Sequence, residues 1–183
     1  MKKNKLIGLA GRAGSGKSTI AAELWDEHRF FETAFADRVK DVVAAMFGWD
    51  RLDLEDRTFK ETVDPKFGIT PRTALQKVGQ GMKQQFGDDI WVALWRQVYD
   101  ELADIHDVVV SDIRFEIEAA EVRRLGGTIV HILRDDLPQV NGVLNDETEC
   151  GIEVHAEDLV LDNNGNLEDL DANLEAILKG LDQ

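Results

Sequence analysis

Gly11-Arg12-Ala13-Gly14-Ser15-Gly16-Lys17-Ser18 fits the phosphate-loop pattern G-x-x-x-x-G-K-[ST] without a gap. The flanks fit as well. Leu6-Ile7-Gly8-Leu9-Ala10 reads as a short buried strand, and Thr19-Ile20-Ala21-Ala22-Glu23-Leu24-Trp25 as the helix that follows. Glycines let successive backbone N–H groups curl around a phosphate, and the helix N-terminus adds its own unpaired donors. Lys17 can then reach the outer phosphates, and the Ser18 hydroxyl can hold Mg²⁺. Gly11, Ala13, Gly14, Ser15, Gly16 and Thr19 complete the expected phosphate-binding set.

Outward from this loop, strands alternate with helices. Strand patterns are expected near 5–10, 29–35, 107–112, 128–133 and 159–161. Helical patterns are expected near 17–27, 37–47, 71–86, 88–102, 116–125 and 167–178. Thr70-Pro71 reads as a helix start, with threonine as N-cap and proline at the first helical position. Residues 49–71 carry many charges and little periodicity, so they read as a solvated excursion from the core, with or without a short helix. The alternation predicts an α/β fold whose parallel sheet is covered on both faces. Ligands in such sheets sit beyond the carboxyl ends of the strands, where the phosphate loop already lies.

Composition sets limits. A chain of 183 residues suits one core rather than two large domains. A formal net charge of −15 argues against a nucleic-acid polymer as main partner, while a pocket for a single nucleotide can still be locally positive. Cys150 is the only cysteine, so no intrachain disulfide and no cysteine-rich metal site are expected, which fits a reducing, cytoplasmic setting. The first apolar run has strand length, too short for a signal segment or a membrane span.

Several residues could carry chemistry, each with an ordinary structural alternative. Val108-Val109-Val110-Ser111-Asp112 delivers a carboxylate at a strand end, where Asp112 orients Mg²⁺ or merely caps the next turn. Arg114 meets a phosphate or pairs with Asp112. Asp37 meets an acceptor group or caps a helix, and Lys40 faces a phosphate or solvent. Arg72 stands in a first helical turn, where the dipole disfavours a cation, so a ligand is suspected. Gln76, one turn on, reads a base edge or is exposed. Trp91 and Trp95 are four apart on one face; such a stripe is usually core, and base stacking is the sharper alternative. Arg134 directly follows the fourth strand and precedes a stretch without Lys or Arg that runs to Lys179. Arg123 and Arg124 are expected on the exposed back of their helix.

Four blocks together resemble the phage-type deoxynucleoside monophosphate kinases. They are Leu9 to Thr19, Phe35-Ala36-Asp37-Arg38-Val39-Lys40, Pro71-Arg72-Thr73-Ala74-Leu75-Gln76-Lys77-Val78-Gly79, and Val110-Ser111-Asp112-Ile113-Arg114-Phe115 through Glu118-Ala119 to Gly126-Gly127. Asp162-Asn163-Asn164-Gly165-Asn166-Leu167 is similar to the family's closing turn. The resemblance implies a P-loop NTPase, adenylate-kinase-like three-layer fold with a five-stranded core sheet. It implies one nucleotide kinase domain over 1–183, a monophosphate-binding helical region at about 37–104 and a lid at about 135–157. It also implies ATP and Mg²⁺ as co-substrate and metal, a deoxynucleoside 5′-monophosphate as acceptor, and a host-cytoplasm setting if phage-encoded; a homodimer is left open. Carried over by position, Asp37, Lys40, Arg72 and Gln76 border the monophosphate site, and together with the readings above Lys17, Asp37, Arg72, Arg114 and Arg134 are the expected catalytic set. Asp37, Lys40, Arg72, Gln76, Trp91 and Arg114 bind the acceptor, Arg134 joins the loop at ATP, and Ser18 and Asp112 hold the metal. Lys40 comes one position early for the family's block. The family's His-x-Ser-Glu segment is replaced by Asn145-Asp146-Glu147-Thr148-Glu149-Cys150-Gly151, unless His155-Ala156-Glu157 is its displaced version. A dephospho-coenzyme A kinase or another small-metabolite kinase is the second reading. A nucleotide-dependent switch or binding module is the third.

Overall fold

The computed structural model describes residues 4–135 and 152–181. In chain order the elements are β1 (Leu6–Ala10), α1 (Lys17–Asp26), β2 (Phe31–Thr33), α2 (Ala36–Phe47) and a 3₁₀ turn (Asp53–Glu55). Next come α3 (Arg57–Glu61), α4 (Pro71–Phe86), α5 (Ile90–Leu102), β3 (Val108–Ile113), α6 (Glu116–Arg124), β4 (Thr128–Leu133), β5 (Leu159–Asp162) and α7 (Leu167–Gly180). The chain divides into two compact units.

The first unit comprises Met1–Ala34 with Val98–Gln183. Its described strands form one five-stranded sheet in the order β2-β3-β1-β4-β5, and every neighbouring pair is parallel. Parallel pairing requires crossover connections and a cover on both faces. The apolar side chains comply by alternating along β1. Ile7 and Leu9 join Val109, Val130, Ile132 and Leu161 against Ile20, Ala21 and Leu24 of α1 and Leu170, Leu174 and Leu178 of α7. Each fully buried leucine or isoleucine there contributes about 2 kcal/mol. On the opposite face, Gly8 lies so close to Ile113, Ile129 and Val122 of α6 that a Cβ would collide.

The second unit, Phe35–Gln97, is helical. Val43, Leu54 and Ala74 form its buried centre, with Val39, Phe47, Trp49, Phe59, Ile69 and Val78 packed around them. The Thr70 hydroxyl accepts from the Thr73 N–H, and Pro71 opens α4, as the sequence predicts. Gly48 stops α2 in the left-handed conformation at φ 71. The excursion over 49–71 is less solvated than its charge suggests, because Leu54 is fully buried and Trp49 donates to the Asp64 carboxylate at 2.7 Å.

The expected strand over 29–35 shrinks to Phe31–Thr33. Arg29 adopts φ 60, which interrupts the extended chain before Phe31, and Phe35 is already the residue at the N-cap of α2. Of the lid expected at about 135–157, residues 136–151 lie outside the described part, including Asn145–Gly151. No helix among the described residues is long and apolar enough to cross a membrane.

Candidate active site

The loop between β1 and α1 is built to receive an anion. Gly14 and Gly16 have φ 81 and 107, a region that side chains strain to occupy. Gly16 stands at the N-cap of α1 without a side-chain cap, and the helix's first turn contains no carboxylate. A helix start with neither a side-chain cap nor a carboxylate in its first turn suits an anion. The Ser15 hydroxyl is buried and is the one such side-chain atom without a hydrogen-bond partner among the described residues. An orphaned polar group costs free energy unless a ligand or water meets it. Lys17 folds back over the loop, donating to the carbonyls of Gly11 at 2.5 Å and Arg12 at 2.9 Å.

Two neighbouring strands bring further groups to the same carboxyl edge. Ala10 at the end of β1 pairs with Ile113 of β3 and His131 of β4, so the loop leaves the sheet between these strands. Asp112 is half-buried beside Ile113, and Arg114 is exposed just beyond. The buried Glu118 carboxylate accepts from the backbone N–H of Arg114 at 2.8 Å and of Phe115 at 3.0 Å. It thereby fixes the turn that follows Asp112. Arg134 is exposed past the end of β4. Just past β5, the Asn163 side chain donates to the Ser15 carbonyl at 2.8 Å and its backbone N–H to the Leu133 carbonyl at 2.8 Å. The closing turn thus props the phosphate loop directly.

Hard-oxygen donors suited to Mg²⁺ are present in part. Ser18 lies in the first turn of α1 and Asp112 at the end of the adjacent β3. No group of three His, Cys, Asp or Glu residues is placed to hold a metal among the described residues. Mg²⁺ is commonly held by one or two protein oxygens together with substrate phosphates, so this donor set fits that ion.

In the second unit, Asp37 and Lys40 stand one turn apart on α2 and belong to an ion network. Arg51 joins Asp37 at 2.8 Å, Asp41 at 3.0 Å and Glu55 at 2.5 Å. Lys40 reaches Glu55 at 2.8 Å and Asp37 at 3.5 Å. Burial pushes the Glu55 carboxyl up, but hydrogen bonds from Lys40 and Arg51 outweigh it and hold it below the usual carboxylate range. The hub, Arg51, sits in a charged run without periodicity, and only the fold shows its partners. Asp37 is not an N-cap; it lies inside the first turn, with Phe35 at the cap.

Arg72 pairs with Glu61 of α3 at 2.6 Å, which offsets its unfavourable place in the first turn of α4. Gln76 is exposed one turn further along. Trp91 and Trp95 are both buried. The Trp91 indole donates to the Gly79 carbonyl at 3.0 Å, and Trp95 packs on Phe35 with ring centroids 4.7 Å apart. Both occupy core positions, and a base could stack on Trp91 only after its surroundings part.

Arg123 departs from expectation. Its side chain is 12% exposed and chelates Asp158, at 3.0 Å to Oδ1 and 2.7 Å to Oδ2. Asp158, itself 1% exposed, also accepts from the His155 backbone at 2.9 Å and lies 2.9 Å from His131 Nε2. Burial opposes the charge of Asp158, yet these partners, led by Arg123, hold its carboxyl far below the usual range. A 35-residue separation hides this pair in the sequence. Arg124 is exposed, as expected.

Comparison with known proteins matches the sequence to one family. A family model described as deoxynucleotide monophosphate kinase matches residues 68–174. A protein of Acanthamoeba polyphaga mimivirus bearing that family name is 34% identical over 181 residues, covering 90% of this chain and 91% of its own length. The deoxynucleotide monophosphate kinase of Escherichia phage RB69 is 30% identical over 111 residues, 59% of this chain and 44% of that protein. Among solved structures, dephospho-CoA kinase from Campylobacter jejuni superimposes with TM-score 0.52 at 16% identity over 98% of both chains, a likeness of fold. The chain belongs to the deoxynucleotide monophosphate kinase family.

Proposed function

We propose that this protein transfers the γ-phosphoryl group of ATP to the 5′-phosphate of a deoxynucleoside monophosphate. The observation that carries the reading is the anion cradle at residues 11–18, with its orphaned Ser15 hydroxyl, in a chain of this family. In the reaction an ionised oxygen of the acceptor phosphate forms a bond to the γ-phosphorus. The bond from that phosphorus to the β,γ-bridging oxygen breaks, and its electron pair leaves with ADP. No proton has to be removed from the acceptor, so no strong general base is needed.

The chain's own residues position and neutralise. Backbone N–H groups of the loop and of α1 hold the donor phosphates, and Lys17 leaves the Gly11 and Arg12 carbonyls to follow charge toward the bridging oxygen. Ser18 and Asp112 would hold Mg²⁺, which when bound offsets charge on the donor phosphates. Arg114 and Arg134, exposed beyond β3 and β4, are the cations for the transferring group. Asp37, Lys40, Arg72, Gln76 and Trp91 are assigned to the acceptor within the helical region at about 37–104.

The test is a substrate panel with Mg²⁺ and ATP, containing all four deoxynucleoside monophosphates, their ribose counterparts and dephospho-coenzyme A. Diphosphate formation from at least one deoxynucleotide is expected. Turnover of dephospho-coenzyme A alone, or ATP hydrolysis that no acceptor accelerates, would overturn the reading.

A further inference from the structure

Lys60 of α3 stands out in the second unit. It is half-buried, although the charged run around it reads as solvated. Its neighbours on both sides are already committed ion pairs. Toward the 3₁₀ turn, Glu55 is held by Lys40 at 2.8 Å and by Arg51 at 2.5 Å. Toward α4, the adjacent Glu61 is held by Arg72 at 2.6 Å. Among the described residues the Lys60 ammonium itself makes no hydrogen bond or ion pair. Burial pushes it below the ordinary lysine value; Glu55 and Asp56 restore part of the loss, and the nearby Lys40 and Arg72 charges deepen it.

We propose that Lys60 is a phosphate-binding residue of the acceptor site, an ammonium placed between the Lys40–Glu55 and Arg72–Glu61 pairs to receive the dianionic 5′-phosphate of the monophosphate. This rests on the functional reading above and adds a residue to it. A phosphate monoester carries close to two negative charges at neutral pH and has three acceptor oxygens. One such group supplies the counter-charge that Lys60 lacks, and Lys40 and Arg72 can turn to it from their carboxylates. A packing lysine would differ in one respect. Its ammonium would be paired within the ligand-free fold, whereas that of Lys60 makes no hydrogen bond or ion pair among the described residues.

The test uses Lys60→Met, which keeps an apolar stem and removes the charge, and Lys60→Arg, which keeps the charge. Steady-state KM values for the deoxynucleoside monophosphate and for ATP are measured with thermal unfolding of the ligand-free proteins. Lys60→Met is expected to raise the monophosphate KM roughly 10- to 100-fold, the range for a lost hydrogen bond to a charged group. The ATP KM should move less than about twofold, the size of a change in a residue that touches only the acceptor. Ligand-free Tm should stay level or rise, and Lys60→Arg should recover most of the monophosphate KM. An unchanged monophosphate KM in Lys60→Met, or a lowered Tm with both KM values moving together, would overturn the proposal and make Lys60 a packing residue. Where wild type turns over no deoxynucleotide, the functional reading fails first. Calorimetric binding of deoxynucleoside monophosphate then decides for Lys60: equal affinity, or no binding, in wild type and Lys60→Met overturns it.

Discussion

In the proposed reaction Lys17 has to leave its resting pose. Its ammonium bridges two loop carbonyls, a local arrangement that keeps the loop closed on itself without an anion. A donor phosphate offers full charge in place of two carbonyl dipoles, so the lysine is drawn outward when the nucleotide enters. Lys17→Ala should lower kcat on the order of 10²- to 10³-fold, the cost of removing one donor aimed at developing charge. Circular dichroism should remain that of wild type, because the carbonyls of Gly11 and Arg12 that Lys17 meets belong to the loop past β1 and not to the sheet. A folded variant with wild-type turnover would defeat that role. Asp158 makes the opposite case, a charge that serves the fold. Its folded pKa lies below the unfolded value of about 3.9. Its contribution is therefore complete above the unfolded pKa and is lost as pH falls through the acid range toward the folded value. Asp158→Asn leaves Arg123 short of its main partner and should cost on the order of 3 kcal/mol at pH 7. Urea unfolding at pH 7 and pH 4 checks the sign: the gap between wild type and variant should narrow at the lower pH, and a gap that widens would contradict it.

Among the elements, the turn between β5 and α7 connects the sheet to the phosphate loop. Asn163 fills the space beside Gly16 so closely that a Cβ on this glycine would strike its side-chain nitrogen. The same nitrogen bonds the Ser15 carbonyl. Asn163→Ala should loosen the loop and raise the ATP KM roughly tenfold, the value of one well-placed hydrogen bond, with little change for the monophosphate. Equal effects on both substrates would assign Asn163 to general stability. At this scale much was legible beforehand. β4 and the start of α4 have the expected bounds, because a continuous apolar run and a Thr-Pro cap act locally. The strand, loop and helix around residues 11–18 were equally legible, since that pattern is written in adjacent residues. Arg51, Lys60, Glu118 and the Arg123–Asp158 pair were not, because charges gain their meaning from what folds against them. The closing turn was visible in Asn163-Asn164-Gly165 as well as in a resemblance, but its bond to Ser15 needed the three-dimensional arrangement.

Over the molecule as a whole, charge sets a problem for an enzyme that binds two anions. The net charge is −15, so the distant field repels nucleotides. The helical unit does not reverse this locally: near one another stand five cations, Arg38, Lys40, Arg51, Lys60 and Arg72, and five carboxylates, Asp37, Asp41, Glu55, Asp56 and Glu61. On the proposed acceptor assignment, attraction for a monophosphate would arise at contact, as cations turn from carboxylates to phosphate, while repulsion acts at long range. Added salt screens the long-range part first, because the Debye length shrinks to about 10 Å at 0.1 M. Contacts at hydrogen-bond distance are screened much less. The kcat/KM for the monophosphate, at saturating ATP and constant free Mg²⁺, should therefore stay level or rise as ionic strength goes from about 10 mM to about 100 mM. A site with a net positive field would show a steep fall over the same range. Such a fall here would mean that the acidic surface is shielded from the approach path and that residues beyond this network supply an attractive field.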